Sequence, residues 1–539
     1  MAYVEQIAVP TRSSWWPSRM QRGIRPPLVL ILAAAAVAVL MFLPLAYLLV
    51  RVAGSENAVR VLQRHATWEV LFGSATLAAT TACASMAIAL PLAWLTMRTD
   101  LPLRRFWSVV TLLPLAIPSY IGSFALIVML GPKGELQRLL APLGVERLPE
   151  IYGFGGAALA LTLFGYPYVL ITLRAALRRL DPATEEAARA LGDSRARAFW
   201  RVTLPQLRPA LAAGGLLVAL YTLSDFGAVS LMQYNAFTRA IYLQYRASFN
   251  REGAAVLALM LVALTVVLLV AEARTRGRAQ YYRSGTCTIR PQQRVALGRW
   301  RWPALCYCAL VTGIAVVLPL GAMIGWLTTG LRNNAVAFGP LAQLTFNSLL
   351  ASVTAAVIAV AAALPIVILA VRFPGRSGRL FERAAYIGYA LPGVVIALAL
   401  VFFGTRYAPA LYQTFGMLMF AYTVRFLPEA VGTLRARMLQ VSPRYEEAAR
   451  TLGRSHVGAL SSITMPLLLP GIIAGAALVF LTTMKELPAT LLLAPTGFST
   501  LATDIWGSSS EAMFARAAAP ALLLVGVSAL SLRLLIRDE

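Results

Sequence analysis

Glu185-Glu186-Ala187-Ala188-Arg189-Ala190-Leu191-Gly192 returns 261 residues later as Glu446-Glu447-Ala448-Ala449-Arg450-Thr451-Leu452-Gly453. One recurrence at that separation in a chain of 539 residues means two copies of a large unit rather than an array of short repeats. The match extends outward from this core. Pro182, Pro205 and Pro209 recur at the same offset as Pro443, Pro466 and Pro470. Upstream the offset becomes 274 and pairs Pro91, Arg98 and Pro118 with Pro365, Arg372 and Pro392, so one connection of the second copy, near Gly404 to Gly416, is thirteen residues shorter.

The composition says where such units reside. With 59% hydrophobic and 13% charged residues, the chain holds more apolar surface than a globular core of this length could bury. Apolar runs of about 20 residues read as membrane helices, because lipid offers no partner to backbone polar groups and a helix satisfies its own. About twelve such runs are expected, at 28–50, 70–95, 108–130, 154–174, 209–233, 254–272, 303–328, 344–371, 384–403, 416–434, 470–493 and 519–536. The first, Leu28 to Val50, is longer than the apolar region of a secretion signal and reads as a retained span. An even number of spans puts both termini on one side. If that side is cytoplasmic, 34 of the 48 Lys and Arg fall in cytoplasmic segments and only 12 in the opposite loops. The net charge of +25 is thus a topology signal and implies no nucleic acid.

The expected fold class is an all-α polytopic membrane protein of two parallel six-helix units, since an offset spanning an even number of helices preserves orientation. The expected organisation is a cytoplasmic N-terminal segment 1–27, a first unit 28–272, a basic cytoplasmic linker 273–302 and a second unit 303–536. The repeated segments then lie in two long cytoplasmic loops, 175–208 and 436–469. Their local chemistry describes two short helices. Asp181 or Ser442 can cap the first, Pro182 or Pro443 fits its first position, and the acidic pairs Glu185-Glu186 and Glu446-Glu447 suit the positive end of its dipole. Gly192 and Gly453 end it. Ala196, Phe199 and Val202, matched by Val457, Leu460 and Ile463, give the second helix an apolar edge that Pro205 or Pro466 should stop. Arg-rich amphipathic helices can lie on lipid headgroups, which is the competing reading of these segments.

The spacing Glu-Ala-Ala, three residues, Gly, nine residues, Ile-x-Leu-Pro resembles the cytoplasmic signature of binding-protein-dependent ABC importer permeases. Glu186, Ala187, Ala188, Gly192, Val202, Leu204 and Pro205 carry it in one copy, and Glu447, Ala448, Ala449, Gly453, Ile463, Met465 and Pro466 in the other, with Val202 and Met465 as conservative departures. The resemblance implies that Glu185 to Pro205 and Glu446 to Pro466 form coupling helices docking on an ATP-binding subunit. It also implies the type I fold, two copies of a separate ATPase, a periplasmic substrate-binding protein and a place in the bacterial inner membrane. No G-x-x-x-x-G-K-[ST] loop occurs, so this chain binds no cofactor of its own and the partner uses ATP and Mg.

Ionisable residues inside a bilayer cost roughly 2.5–3.5 kcal/mol each and normally face protein or an aqueous path. Asp225, after Ser224, aligns at offset 261 with Glu486, after Lys485, so both acids occupy one position of the fifth helix. They read as residues flanking the substrate pathway, facing each other across the axis of the pseudo-dimer. The alternative is structural ion pairs, Lys485 with Glu486 and Arg425 with Glu429. The stretch Thr482 to Thr490, continued by Pro495-Thr496-Gly497-Phe498, resembles ferric-iron importer permeases, and carboxylate oxygens suit Fe(III) as cargo. Fused thiamine permeases and polyamine permeases share the layout. A secondary transporter would need no docking helices, and no catalytic constellation is visible for an enzyme. Cys83, Cys287, Cys306 and Cys308 fit no zinc spacing, and His65 and His456 read as surface loop residues rather than metal ligands.

Overall fold

The computed structural model describes residues 26–55, 57–131, 134–144, 148–246, 251–275, 294–334 and 337–536. The N-terminal segment up to residue 25, most of the basic linker and Cys287 lie outside the described residues. Those described are helical, with no strand beyond one isolated parallel bridge, Thr99 with Val295. Among the described residues, nine helices are long and apolar enough to cross a membrane, or up to eleven if each of two bent pairs is one span, which does not confirm the expected count of about twelve. Helix Phe415–Gln440, with 26 residues, has the length but carries Arg425, Glu429, Arg435 and Arg437, and is not among the nine.

Continuous apolar runs conceal breaks, and prolines place them. The runs at 108–130 and 384–403 are each bent pairs: Arg104–Ala116 meets Ser119–Arg138 at 98°, and Arg376–Ala390 meets Gly393–Tyr407 at 102°. Both bends sit at an X-Pro step. The proline ring drives the residue before it out of the helical region, so Ile117 (φ −90°, ψ 114°) and Leu391 (φ −106°, ψ 107°) are extended. The fifth runs also break: helices Leu204–Ser224 and Met465–Met484 stop, and short helices Gly227–Leu231 and Pro488–Leu493 follow.

Pro205 and Pro466 do not stop the preceding helix, contrary to expectation. Wide π turns at Phe199–Thr203 and Leu460–Thr464 lead into helices in which these prolines occupy the start, where a missing N–H leaves no ladder bond unmade. One run therefore extends from Arg195 to Ser224 and another from Val457 to Met484.

Packing divides the chain into two units that do not follow chain order. Among the described residues, one comprises those within 62–243 and 260–333, the other those within 26–61, 244–259 and 334–536. In the first, helices His65–Arg98, Phe154–Arg179 and Leu204–Ser224 pack on one another, and Ser119–Leu130 packs on Leu318–Arg332. In the second, Phe338–Arg372, Phe415–Gln440 and Met465–Met484 form the same trio, and Leu28–Ala53 lies against Phe338–Arg372, Arg376–Ala385 and Gly393–Tyr407. The leading helix of each chain half is thus housed in the unit built mainly from the other half. Glycine lets the trio close. A Cβ on Gly214 would lie 2.5 Å from Thr172 Oγ1, and one on Gly475 2.6 Å from Thr433 Oγ1, the repeat-equivalent pair.

Candidate functional site

The two repeated segments are built alike, bond for bond at their C-terminal ends. Helix Pro182–Ala190 ends with the Gly192 amide donating to the Arg189 carbonyl (3.1 Å) and the Asp193 amide to the Ala188 carbonyl (3.1 Å). Helix Arg444–Thr451 ends with Gly453 donating to Arg450 (3.0 Å) and Arg454 to Ala449 (3.1 Å). This is the Schellman closure, which needs a left-handed residue, and φ is +98° at Gly192 and +85° at Gly453. The starts differ. Asp181 accepts from the Ala183 amide at 3.0 Å with Pro182 at the first position, whereas Pro443 is itself the cap and Ser442 takes the Arg444 amide at 3.4 Å.

Each segment turns one acid inward and one outward. Glu185 and Glu446 are half-buried, and Thr203 and Thr464, the last residues of the π turns, donate to them at 3.4 and 2.6 Å. Glu186, Ala187, Glu447 and Ala448 are exposed, while Ala188 is half-buried and Ala449 buried. The expected apolar edge is split: Ala196 and Val457 are exposed, whereas Phe199 and Val202, like Leu460 and Ile463, are half-buried, and Phe199 meets the Trp94 ring edge-on at 4.7 Å. The residues at the turn, Leu191 (90% exposed) and Leu452 (86%), are more exposed still. Their shared offset of 261 was the available signal. Leu204 and Met465 are half-buried where the second helices continue; Pro205 is half-buried and Pro466 exposed.

The paired acids of the fifth runs sit at the breaks. Asp225 and Glu486 are buried, and each caps the short helix that follows: Asp225 Oδ1 accepts from the Ala228 amide at 2.8 Å, and Glu486 Oε1 from the Ala489 amide at 3.3 Å. Their remaining oxygens find different partners. The Ser119 hydroxyl donates to Asp225 Oδ2, and Arg425 Nε lies 3.0 Å from Glu486 Oε2 as an ion pair without hydrogen-bond alignment. Ser224 is half-buried with its hydroxyl on the Tyr221 carbonyl, and Thr482 donates to Glu429 at 2.8 Å, with Lys485 in electrostatic reach of that carboxylate. Of the ion pairs offered as the alternative reading, Arg425 is paired with Glu486 while staying in electrostatic reach of Glu429, and Lys485 faces Glu429. Bending at Pro392 brings Gly393 so near that a Cβ there would lie 2.5 Å from Glu486 Oε1 and 3.0 Å from Arg425 Nη1, so absence of a side chain makes room for the pair.

Other singled-out groups do not converge. His65 opens a helix, exposed and 3.1 Å from Glu69, and His456 begins helix His456–Ala459, its side chain outside the described residues. Among the described residues no three His, Cys, Asp or Glu could jointly hold a metal ion, and Cys83, Cys306 and Cys308 are free thiols.

Comparison with known proteins finds the same two-fold repetition. Residues 89–275 and 355–536 each match the family described as the binding-protein-dependent transport system inner membrane component. The chain belongs to this family. The permease is 33% identical over 516 residues to the Fe(3+)-transport system permease protein FbpB 2 of Haemophilus influenzae, covering 95% of this chain and 98% of that protein. It is 24% identical over 462 residues to the ferric transport system permease protein FbpB of Actinobacillus pleuropneumoniae, covering 81% and 66%. Similarity to the molybdenum transport system permease protein ModB of Escherichia coli, 28% over 213 residues, covers 38% of the permease and 92% of that protein, the extent of one unit. It is therefore a multi-pass membrane protein of the type I ABC permease family with ferric-iron permease homologues.

Proposed function

We propose that the permease is the translocation subunit of an ATP-driven importer that takes ferric iron from a periplasmic binding protein. The observation carrying the importer reading is the pair of matched turns, each holding a left-handed glycine beside an almost fully exposed leucine and an exposed glutamate. Exposed apolar groups on two identical, rigidly closed turns suit two copies of one partner. That partner is a separate ATPase that uses ATP and Mg, and Glu185 to Pro205 and Glu446 to Pro466 are its coupling segments. Both segments and both termini then face the cytoplasm, and the protein lies in the inner membrane. Iron as cargo is supported by 33% identity along nearly the whole of an Fe(3+) permease, against a molybdenum permease that matches over one unit. Ser224-Asp225 and Lys485-Glu486 border the path, each within its own unit, and the acids hold the broken helices in place there.

Reconstitution in proteoliposomes with the ATPase and binding protein of the same operon tests this. Uptake of radiolabelled Fe(III) that requires ATP and the ATPase is the expected result. Uptake of labelled thiamine in place of iron would overturn the cargo, and uptake that persists without the ATPase would overturn the importer.

A further inference from the structure

Arg98 and Arg372 end the long helices His65–Arg98 and Phe338–Arg372, align at offset 274, and have no part in the function above. Both side chains are buried in a chain where most arginines are not (5% and 8% exposed). Arg372 Nε donates to Glu446 Oε1 at 2.7 Å, and its Nη2 to the Val441 carbonyl at 3.1 Å. Thr464 donates to the same Glu446 oxygen at 2.6 Å. Four segments meet at this group: the end of Phe338–Arg372, the residue after Phe415–Gln440, the inward acid of the repeated segment, and the start of the helix leading to Met484. A charge-assisted bond this far from water is short and strong, and opening it would strand two charges.

The equivalent residues of the other unit are Arg98, Glu185 and Thr203, and their geometry is different. Thr203 stands 3.4 Å from Glu185, and Arg98 Nε is buried without a hydrogen-bond partner, with the guanidinium over the Trp94 ring at 5.9 Å and Glu185 only in electrostatic reach. Here the helix end is engaged by the linker instead: the Val295 amide donates to the Arg98 carbonyl at 2.8 Å and the Asp100 amide to the Val295 carbonyl at 3.2 Å. A buried guanidinium whose Nε lacks a hydrogen-bond partner, next to an acid, is a group with free energy to gain by closing.

We infer that Arg98-Glu185-Thr203 and Arg372-Glu446-Thr464 are two clasps that fasten each coupling segment to the second span of its own unit, the latter closed and the former slack until the docked ATPase binds ATP. The inference rests on the coupling reading. These are positioning residues: through them a displacement of the docked segment becomes a displacement of the span, and in the unit with the slack clasp that transmission begins only after closure.

Spin labels at the exposed equivalent pairs Arg105 with Arg189 and Arg379 with Arg450, in the complex with ATPase subunits in nanodiscs, read each clasp separately and need no substrate. On trapping with ATP and Mg the 105–189 distance should shorten by a few ångströms while the 379–450 distance stays fixed. Glu446→Gln should broaden the 379–450 distribution in both states with the ATPase still bound, and Arg372→Lys, which keeps the charge but loses the second donor, should broaden it less. Distances that respond identically in the two units overturn the inequality, and a 379–450 distribution unchanged by Glu446→Gln and Arg372→Lys overturns the clasp. Failure of the unsubstituted permease to retain the ATPase would instead overturn the coupling reading on which the clasps depend.

Discussion

Phe164, Tyr168, Tyr221, Ser224 and Asp225 of one unit occupy the repeat positions of Arg425, Glu429, Thr482, Lys485 and Glu486 of the other. Both sets surround a broken fifth helix, and in both an acid caps the short helix beyond the break. Around that shared device the chemistry diverges. The first unit supports its acid with a neutral hydroxyl from Ser119 and fills the neighbouring position with the Tyr168 and Tyr221 rings, 5.4 Å apart. The second supports it with Arg425 and lodges a further acid and amine beside it. The break therefore needs a capping acceptor and not a charge pair, and the additional ionised groups of the second unit are an expense that the backbone geometry does not require.

This contrast can be broken most directly at the acids. Glu486→Gln takes from the half-buried Arg425 the carboxylate it is paired with and should cost about 3 kcal/mol, whereas Asp225→Asn retains an oxygen for the Ala228 amide and should cost only about 1 kcal/mol. Melting of the purified permease in detergent measures both, and equal losses would sink the distinction between the units. Uptake by the stable Asp225→Asn protein separately tests the pathway: undiminished transport would remove Asp225 from it.

Where the units are alike, effects should be alike. Val at Gly192 or at Gly453 must adopt a left-handed φ at a cost of roughly 1–2 kcal/mol, and either variant should retain less ATPase on affinity purification by a similar factor. A large loss from one and none from the other would mean that only one segment docks. A smaller effect belongs to Ser119→Ala, which removes the hydroxyl on Asp225 but leaves the Ala228 amide, for a loss of about 1 kcal/mol in the same melting assay. Gly393→Ser, at the equivalent position, has no room and should be worse than Ser119→Ala.

The smallest predicted effect concerns the linker, which engages the first unit alone among the described contacts. The Leu297 amide, donating at 2.8 Å, and Arg301 beside it hold the Asp100 carboxyl below its ordinary range. A depressed folded pKa means that the contact stabilises fully above the ordinary carboxyl pKa of about 4 and is lost as pH falls through the lower folded value. Fluorescence of the nearby Trp300 region should shift in that acid window, and Asp100→Asn should flatten the shift.

Much of the repeated segments was legible from residues alone because their determinants are local. Asp181, the acidic pairs and the two glycines act within a few positions of the bonds they make, so helix, turn and chain reversal follow from their order. The breaks at Pro118 and Pro392 were hidden inside apolar runs, since hydropathy reports the solvent a segment prefers and is blind to its direction. The ion-pair partner of Arg425 was hidden for a related reason. Spacing of four suggested Arg425 with Glu429, yet the bend at Pro392 and a glycine after it admit Glu486 from another helix.

By itself, the sequence determined that the chain spans a membrane as two like units and that each presents one capped, glycine-closed turn, because hydropathy, repetition and capping are properties of neighbouring residues. Tertiary structure decided which leading helix is housed in which unit, which charge meets Arg425, and that Arg372 grips Glu446 while Arg98 makes no bond to Glu185. These depend on contacts between residues tens to hundreds of positions apart, whose geometry is set by how helices bend and pack and is written in no local pattern.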